Sequence, residues 1–222
     1  MAEIAFLSDF GSTVSYITYI FSNSLLYPVM ILLILFVIVS LILTGEFVTE
    51  YTRRRRDQKE LEKETHRICE IMESSAPQDV KYKETAAILR GFEGKQTQMV
   101  GAFAKDAADS VDGCDLKHIE KIADDYEVRM MKRTEKTRII TTVGPMLGLM
   151  GTLIPLGPAL IGLTDGNIDE LATNLVIAFA TTVIGLFVAG ISFCLTTIRN
   201  RWYWQDMIDI DYIIDALEEG NK

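Results

Sequence analysis

Cysteine and histidine are scarce in this chain, and neither falls in a pattern that does chemistry. Cys69, Cys114 and Cys194 are scattered, with no CxxC pair and no metal-ligand spacing, so no disulfide framework is expected. His66 and His118 lie among charged residues and read as solvated helix-surface groups. No glycine-rich phosphate loop, zinc spacing or nucleophile elbow occurs, so neither an enzyme nor a cofactor is expected. The first 24 residues carry Glu3 and Asp9 but no Lys or Arg. A signal peptide, with its basic n-region, is therefore not expected.

What is present is long apolar sequence. Three blocks run from Leu25 to Thr44, from Ile139 to Leu163 and from Leu171 to Ile198. Each reaches the roughly 20 residues that a helix needs to cross the hydrocarbon core. The second and third hold no Asp, Glu, His, Lys or Arg, and Asn174 is the strongly polar residue of the third. The fold class is therefore an all-α membrane protein, with three transmembrane helices and a cytoplasmic helical extension. The expected segments are an outer-side interfacial stretch 1–24, spans at 25–45, 139–163 and 171–198, a cytoplasmic helical region 46–138, an outer loop 164–170 and an amphipathic cytoplasmic tail 199–222.

Charge sets the direction. All 22 Lys and Arg residues fall on one side of this arrangement, while the loop Thr164–Glu170 carries only acids. Basic loops stay in the cytoplasm. The chain thus reads as a multi-pass protein of the inner or plasma membrane, with its N-terminus outside and its C-terminus cytoplasmic. The run Arg53, Arg54, Arg55 and Arg56 suggests a headgroup anchor beside the first span. A nucleic-acid partner is not expected at a net charge of −9. Trp202 and Trp204 fall where an inner aromatic belt would lie. Pro28 suits the first turn of the first span.

The middle reads as helices. The first span is expected to continue as one rod to Pro77, followed by helices from about Asp79 to Asp112 and from about Asp115 into the second block. The apolar stripe there is thin: Ile68, Ile71 and Met72, then Ala87, Ile88 and Met99, then Ile119, Ile122 and Val128. Either a solvated three-helix bundle or packing against other subunits or a partner fits it. The tail interleaves Asp206, Asp209, Asp211, Asp215, Glu218 and Glu219 with Met207, Ile208, Ile213, Ile214 and Leu217, as an amphipathic helix does.

The second block contains GPMLGLMGTLIPLGPAL, a density of glycine and proline that would cripple a helix in water. In lipid, such residues are tolerated and small faces bring helices close together. Steps of three and four pick out Thr141, Pro145, Gly148, Thr152, Pro155 and Ala159. On the third block they pick out Asn174, Ala178, Thr181, Gly185, Ala189, Ser192 and Thr196. Each helix thus presents one narrow, weakly polar face. That face serves as a tight helix–helix seam or as the wall of a pore with Thr152 and Thr182 inside; the two are compatible. An ion path normally needs an ionisable group in the membrane, and these two blocks supply none at mid-depth.

The string GPMLGLMGTL resembles the second-helix motif of the MotA/TolQ/ExbB proton-channel family, matching at Pro145, Gly148, Leu149, Gly151 and Thr152. ATTVIGLF resembles its third-helix motif at Thr182, Gly185 and Leu186. The three-span count is similar to the TolQ and ExbB branch. The glutamate that ExbB-type proteins carry in the third helix is replaced here by Ile177. The resemblance implies a homo-oligomer, a pentamer, whose second and third helices line a pore. A single-span partner of the ExbD, TolR or MotB type would thread it and bring a membrane aspartate. The chain would then be the pore-wall subunit of an ion-driven motor complex, lined by Thr141, Pro145, Gly148, Thr152, Pro155, Asn174, Ala178, Thr181, Thr182 and Gly185. The alternative is a non-conducting membrane scaffold that binds a partner helix.

Overall fold

The computed structural model describes residues 2–113 and 117–219. Cys114 and Asp115, the expected start of a helix, lie outside the described residues. Every regular element is helical among the described residues: α1 (Ala2–Ser24), α2 (Leu26–Arg53), α3 (Gln58–Glu73), α4 (Gln78–Arg90), α5 (Gln98–Asp112), α6 (Lys117–Thr164) and α7 (Ile168–Glu219). Three helical stretches are long and apolar enough to cross a membrane: Thr13–Arg53, His118–Thr164 and Ile168–Glu218.

The chain divides into two compact units. One comprises Met1–Gly45 and Thr137–Leu195; the other comprises Glu46–Lys136 and Thr196–Lys222. In the first, Val29 and Leu33 of α2 pack on Leu147 and Ile154 of α6, flanked by Phe36 and Val143. The opposite side of α2 exposes Ile31, Ile34, Ile38, Leu41 and Ile42. Apolar surface that continuous is covered by lipid or protein in a stable molecule. The α6–α7 connection is a turn of three residues, shorter than expected because α7 already begins at Ile168. Gly166 adopts a φ of 76° there, a left-handed conformation that glycine takes without penalty. The Asn167 side chain accepts from the Glu170 N–H at 3.2 Å and donates to the Glu170 carboxylate at 3.0 Å, capping α7.

The second unit is built around a real core. Ile68 of α3, Leu89 of α4, Phe92 of the turn that follows, Phe103 and Val111 of α5, and Ile210 and Ile213 of α7 are all essentially inaccessible. The thin stripes seen in the sequence are sufficient because the C-terminal part of α7 closes this core with Ile210, Ile213 and Leu217. The amphipathic tail is thus the missing wall of the bundle.

Two expected helices are each broken in two. The rod predicted from the first span to Pro77 stops at Arg53, and a new helix starts at Gln58 with Asp57 as its cap, accepting from the Glu60 N–H at 3.1 Å. In a continuous helix Arg54 and Arg56 would point about 200° apart; with the helix ended at Arg53, both reach one neighbour. That neighbour is α7, where Asp206 and Asp209 share a face at a spacing of three. The helix predicted from Asp79 to Asp112 is interrupted between Arg90 and Gln98. Gly94 takes a φ of 82° in that turn, and Thr97 caps α5.

Candidate functional site

In the first unit, α6 and α7 approach along Gly144, Gly148 and Gly151 on one side and Thr181, Gly185 and Ala189 on the other. These steps of four and three place each set on one helix face. The contact leaves almost no room. A Cβ on Gly185 would lie 2.7 Å from the Gly144 carbonyl oxygen and 2.9 Å from the Gly148 Cα. A Cβ on Gly151 would lie 2.6 Å from both Cβ and Oγ1 of Thr181. Small residues are therefore a steric requirement of the seam, as in other close membrane-helix contacts. Pro145, Pro155 and Pro158 all lie inside α6, which remains helical throughout.

The seam's hydroxyls have committed protons. Thr181 Oγ1 donates to the carbonyls of Ile177 at 3.0 Å and Ala178 at 2.9 Å. Thr141 Oγ1 donates to Thr137 O at 2.9 Å, and Thr152 Oγ1 to Leu149 O at 2.7 Å. Thr182 is different, since its Oγ1 donates across the seam to Gly148 O at 3.3 Å. A hydroxyl that has donated still offers acceptor lone pairs. This strip accordingly presents acceptors to anything beside it.

Of the ten residues singled out as pore-lining, Gly148, Pro155, Ala178, Thr181 and Gly185 are buried within one chain. Thr141, Pro145, Thr152, Asn174 and Thr182 are half-buried. The first group is consumed by packing inside the protomer. The second group retains surface that another chain or water can reach.

The second unit holds an ionic cluster that sequence reasoning missed. Arg54 forks onto Asp206 with contacts of 2.8 and 3.3 Å and also donates to the Trp202 carbonyl at 3.1 Å. Arg56 forks onto Asp209, with both contacts at 2.8 Å. Glu50 accepts from Arg199 Nε at 3.1 Å and from the Tyr203 hydroxyl at 2.9 Å. Asp206 and Arg199 are almost wholly buried, at 1% and 4% exposed, so each needs its partner. Burial pushes the Asp206 carboxyl up to about 6 despite the opposing pull of Arg54. It is still ionised at neutral pH, as the forked contact requires. Burial, then the Glu50 charge, pushes the Tyr203 phenol up to about 12. The hydrogen bond to Asp209 raises Arg56 further.

This cluster corrects two expectations. Arg54 and Arg56 are structural cations inside the unit; of the arginine run, only Arg53 and Arg55 are fully exposed. Trp202 is no belt residue: it is 8% exposed, stacks on Phe47 at 5.1 Å and lies under the Arg54 guanidinium at 5.0 Å. Trp204 is 71% exposed. The one available signal was a run of bases near one end and acids near the other. Their pairing spans 152 and 153 residues, beyond any local pattern.

Among the described residues, no group of three or more His, Cys, Asp or Glu side chains is placed to hold a metal ion. No curated protein and no solved structure gives a significant match to the chain. The family model for the MotA/TolQ/ExbB proton channel family matches residues 94–205, just over half of the 222 residues. The match takes in α5, α6 and α7 as far as Gln205, one residue short of Asp206, and with it the whole glycine seam. The chain belongs to the MotA/TolQ/ExbB proton channel family.

Proposed function

We propose that this chain is the pore-wall subunit of an ion-driven motor complex, of the three-span TolQ/ExbB branch. Copies assemble as a ring, a pentamer, with α6 and α7 around the axis. A single-span partner of the ExbD, TolR or MotB type occupies that axis and supplies a membrane aspartate that carries protons. The N-terminus lies outside and the C-terminus in the cytoplasm of an inner or plasma membrane. The membrane spans are 25–45, 139–163 and 171–198.

The observation that carries this reading is the chemistry of the α6–α7 strip. It has no Asp, Glu, His, Lys or Arg through either span, yet half-buried Thr152 and Thr182 retain acceptor lone pairs beside the tightest part of the seam. A wall of this kind suits a neutral, protonated carboxylic acid, whose O–H can donate to a threonine oxygen. An ionised carboxylate finds no cation there and is disfavoured in the membrane. The aspartate therefore crosses the strip protonated and releases its proton where water is available. Pro145 and Asn174 border the two ends of the route.

The test is ion flux through the purified complex in liposomes. Thr152→Val and Thr182→Val, which remove the acceptors at constant shape, are expected to lower flux at least tenfold while leaving the complex intact. Thr152→Ser and Thr182→Ser are expected to keep it. Full flux in both valine variants overturns the proposal. A second reading, a scaffold that binds a partner helix without conducting, is favoured by the fact that each seam hydroxyl already bonds a backbone carbonyl. An intact complex with zero flux in the unmodified protein would support it.

A further inference from the structure

The second unit exposes two apolar faces with rims of opposite charge. One lies along α6 and α7: a groove of about 310 Å³ walled by Met130, Met131, Tyr203, Trp204 and Met207. Ile208, 59% exposed, extends it. Its rim is acidic. Glu127 lines the groove, and Asp211 and Asp215 follow on the same face of α7, at steps of three and four from Ile208. Burial together with the negative neighbours Asp215 and Glu127 pushes the Asp211 carboxyl up. None of these three acids has an ion-pair partner among the described residues.

The other face lies at the end of α2. Val48 and Tyr51 are 54% and 65% exposed, and the exposed arginines Arg53 and Arg55 follow immediately. Neither arginine has an ion-pair partner among the described residues. The two faces lie on opposite sides of α7. Tyr51 stacks on Trp202 at 6.0 Å, and Trp202 and Trp204 are two residues apart, about 200° around the helix.

We propose that these faces meet between copies: Val48, Tyr51 and Arg55 of one chain dock on the Trp204–Ile208 groove and acidic rim of the next. Because the two surfaces differ and lie on opposite sides, the contact is heterologous. Repetition of such a contact closes into a ring or runs on as a filament. Methionine and aromatic side chains at the centre with opposite charges at the rim are what a specific protein contact uses. The acidic rim also argues against the alternative occupant, an anionic lipid surface, which the three carboxylates would repel. The inference rests on the assembly part of the proposed function and assigns its residues.

The experiment is bismaleimide cross-linking in membranes containing this chain alone, with Cys69, Cys114 and Cys194 replaced by serine. Tyr51→Cys with Ile208→Cys is expected to give a ladder of multimers; either substitution alone is expected to give none. A charge swap adds a second readout: Arg55→Glu is expected to lose the ladder and added Asp211→Arg to restore it. Native mass measurement of the same sample separates the failures. A multimer without a ladder overturns this contact and leaves the assembly reading standing, with lipid or another chain in the groove. A monomer overturns both. A dimer from Ile208→Cys alone shows a symmetric contact and overturns the proposal.

Discussion

Replacing Gly185 by alanine tests the seam with a single methyl group. In an unobstructed helix the substitution would be favourable by up to about 1 kcal/mol, because alanine is the better helix former. At this position the new Cβ lands 2.7 Å from the Gly144 oxygen and 2.9 Å from the Gly148 Cα. Both are backbone atoms of α6, so no rotamer change relieves the clash. Ordinary contact begins near 3.4 Å, so the helices must separate by about 0.7 Å, and packing along the whole seam loosens. Overpacking of this kind costs about 1–3 kcal/mol. In a chain of this size each kcal/mol corresponds to about 2–4 °C in Tm. Gly190 on the same helix is the control, since a Cβ there meets nothing within 4 Å. Thermal unfolding of the purified protein in detergent, followed by helical circular dichroism, should show Gly185→Ala several degrees below the parent and Gly190→Ala level with it or above. A Gly185→Ala protein that melts with Gly190→Ala would refute the close approach of α6 and α7.

The ionic cluster supports two further predictions. Asp206 has a folded pKa of about 6 against an ordinary value of 3.8, so the folded state holds the extra proton between those values and its stability falls as pH rises from about 4 to about 6. The whole shift corresponds to roughly 3 kcal/mol; urea titrations of the parent should show this decline relative to Asp206→Asn, and identical pH dependence of the two would contradict it. Glu50→Gln removes the charge that faces Arg199 and should cost about 3–5 kcal/mol, the penalty for leaving one member of a buried pair alone; a change in urea midpoint near zero would show that the pair is dispensable.

The sequence was most informative where one residue type repeats over many turns. Three apolar runs announced three helices long enough to span, because nothing local competes with such a run. Small and hydroxylated residues at steps of three and four pointed to a narrow face on each helix; Gly148, Thr181, Gly185 and Ala189 of those steps lie at the contact, while Gly144 and Gly151, which also form it, fell off the line. The sequence was least informative where a local element answers to a distant one. Nothing within ten residues of Arg54 signals that the helix stops, and the partner that Arg54 meets there, Asp206, is 152 residues away. The break between α4 and α5 had a local cue in Gly91 and Gly94, but glycine inside a helical pattern is common enough to pass unnoticed. Trp202 and Trp204 illustrate the same limit. Both fit an interfacial belt by position, yet α2 covers one and leaves the other exposed.

The central claim is a division of chemistry: a neutral wall from this chain and a protonatable acid from another. Proton flux into liposomes containing the chain alone, compared with the chain plus the proposed single-span partner, tests it most directly. The account predicts no flux from the chain alone, flux from the pair, and loss of that flux when the partner's membrane aspartate becomes asparagine. Flux from the chain alone, or flux that survives the aspartate's removal, would contradict it.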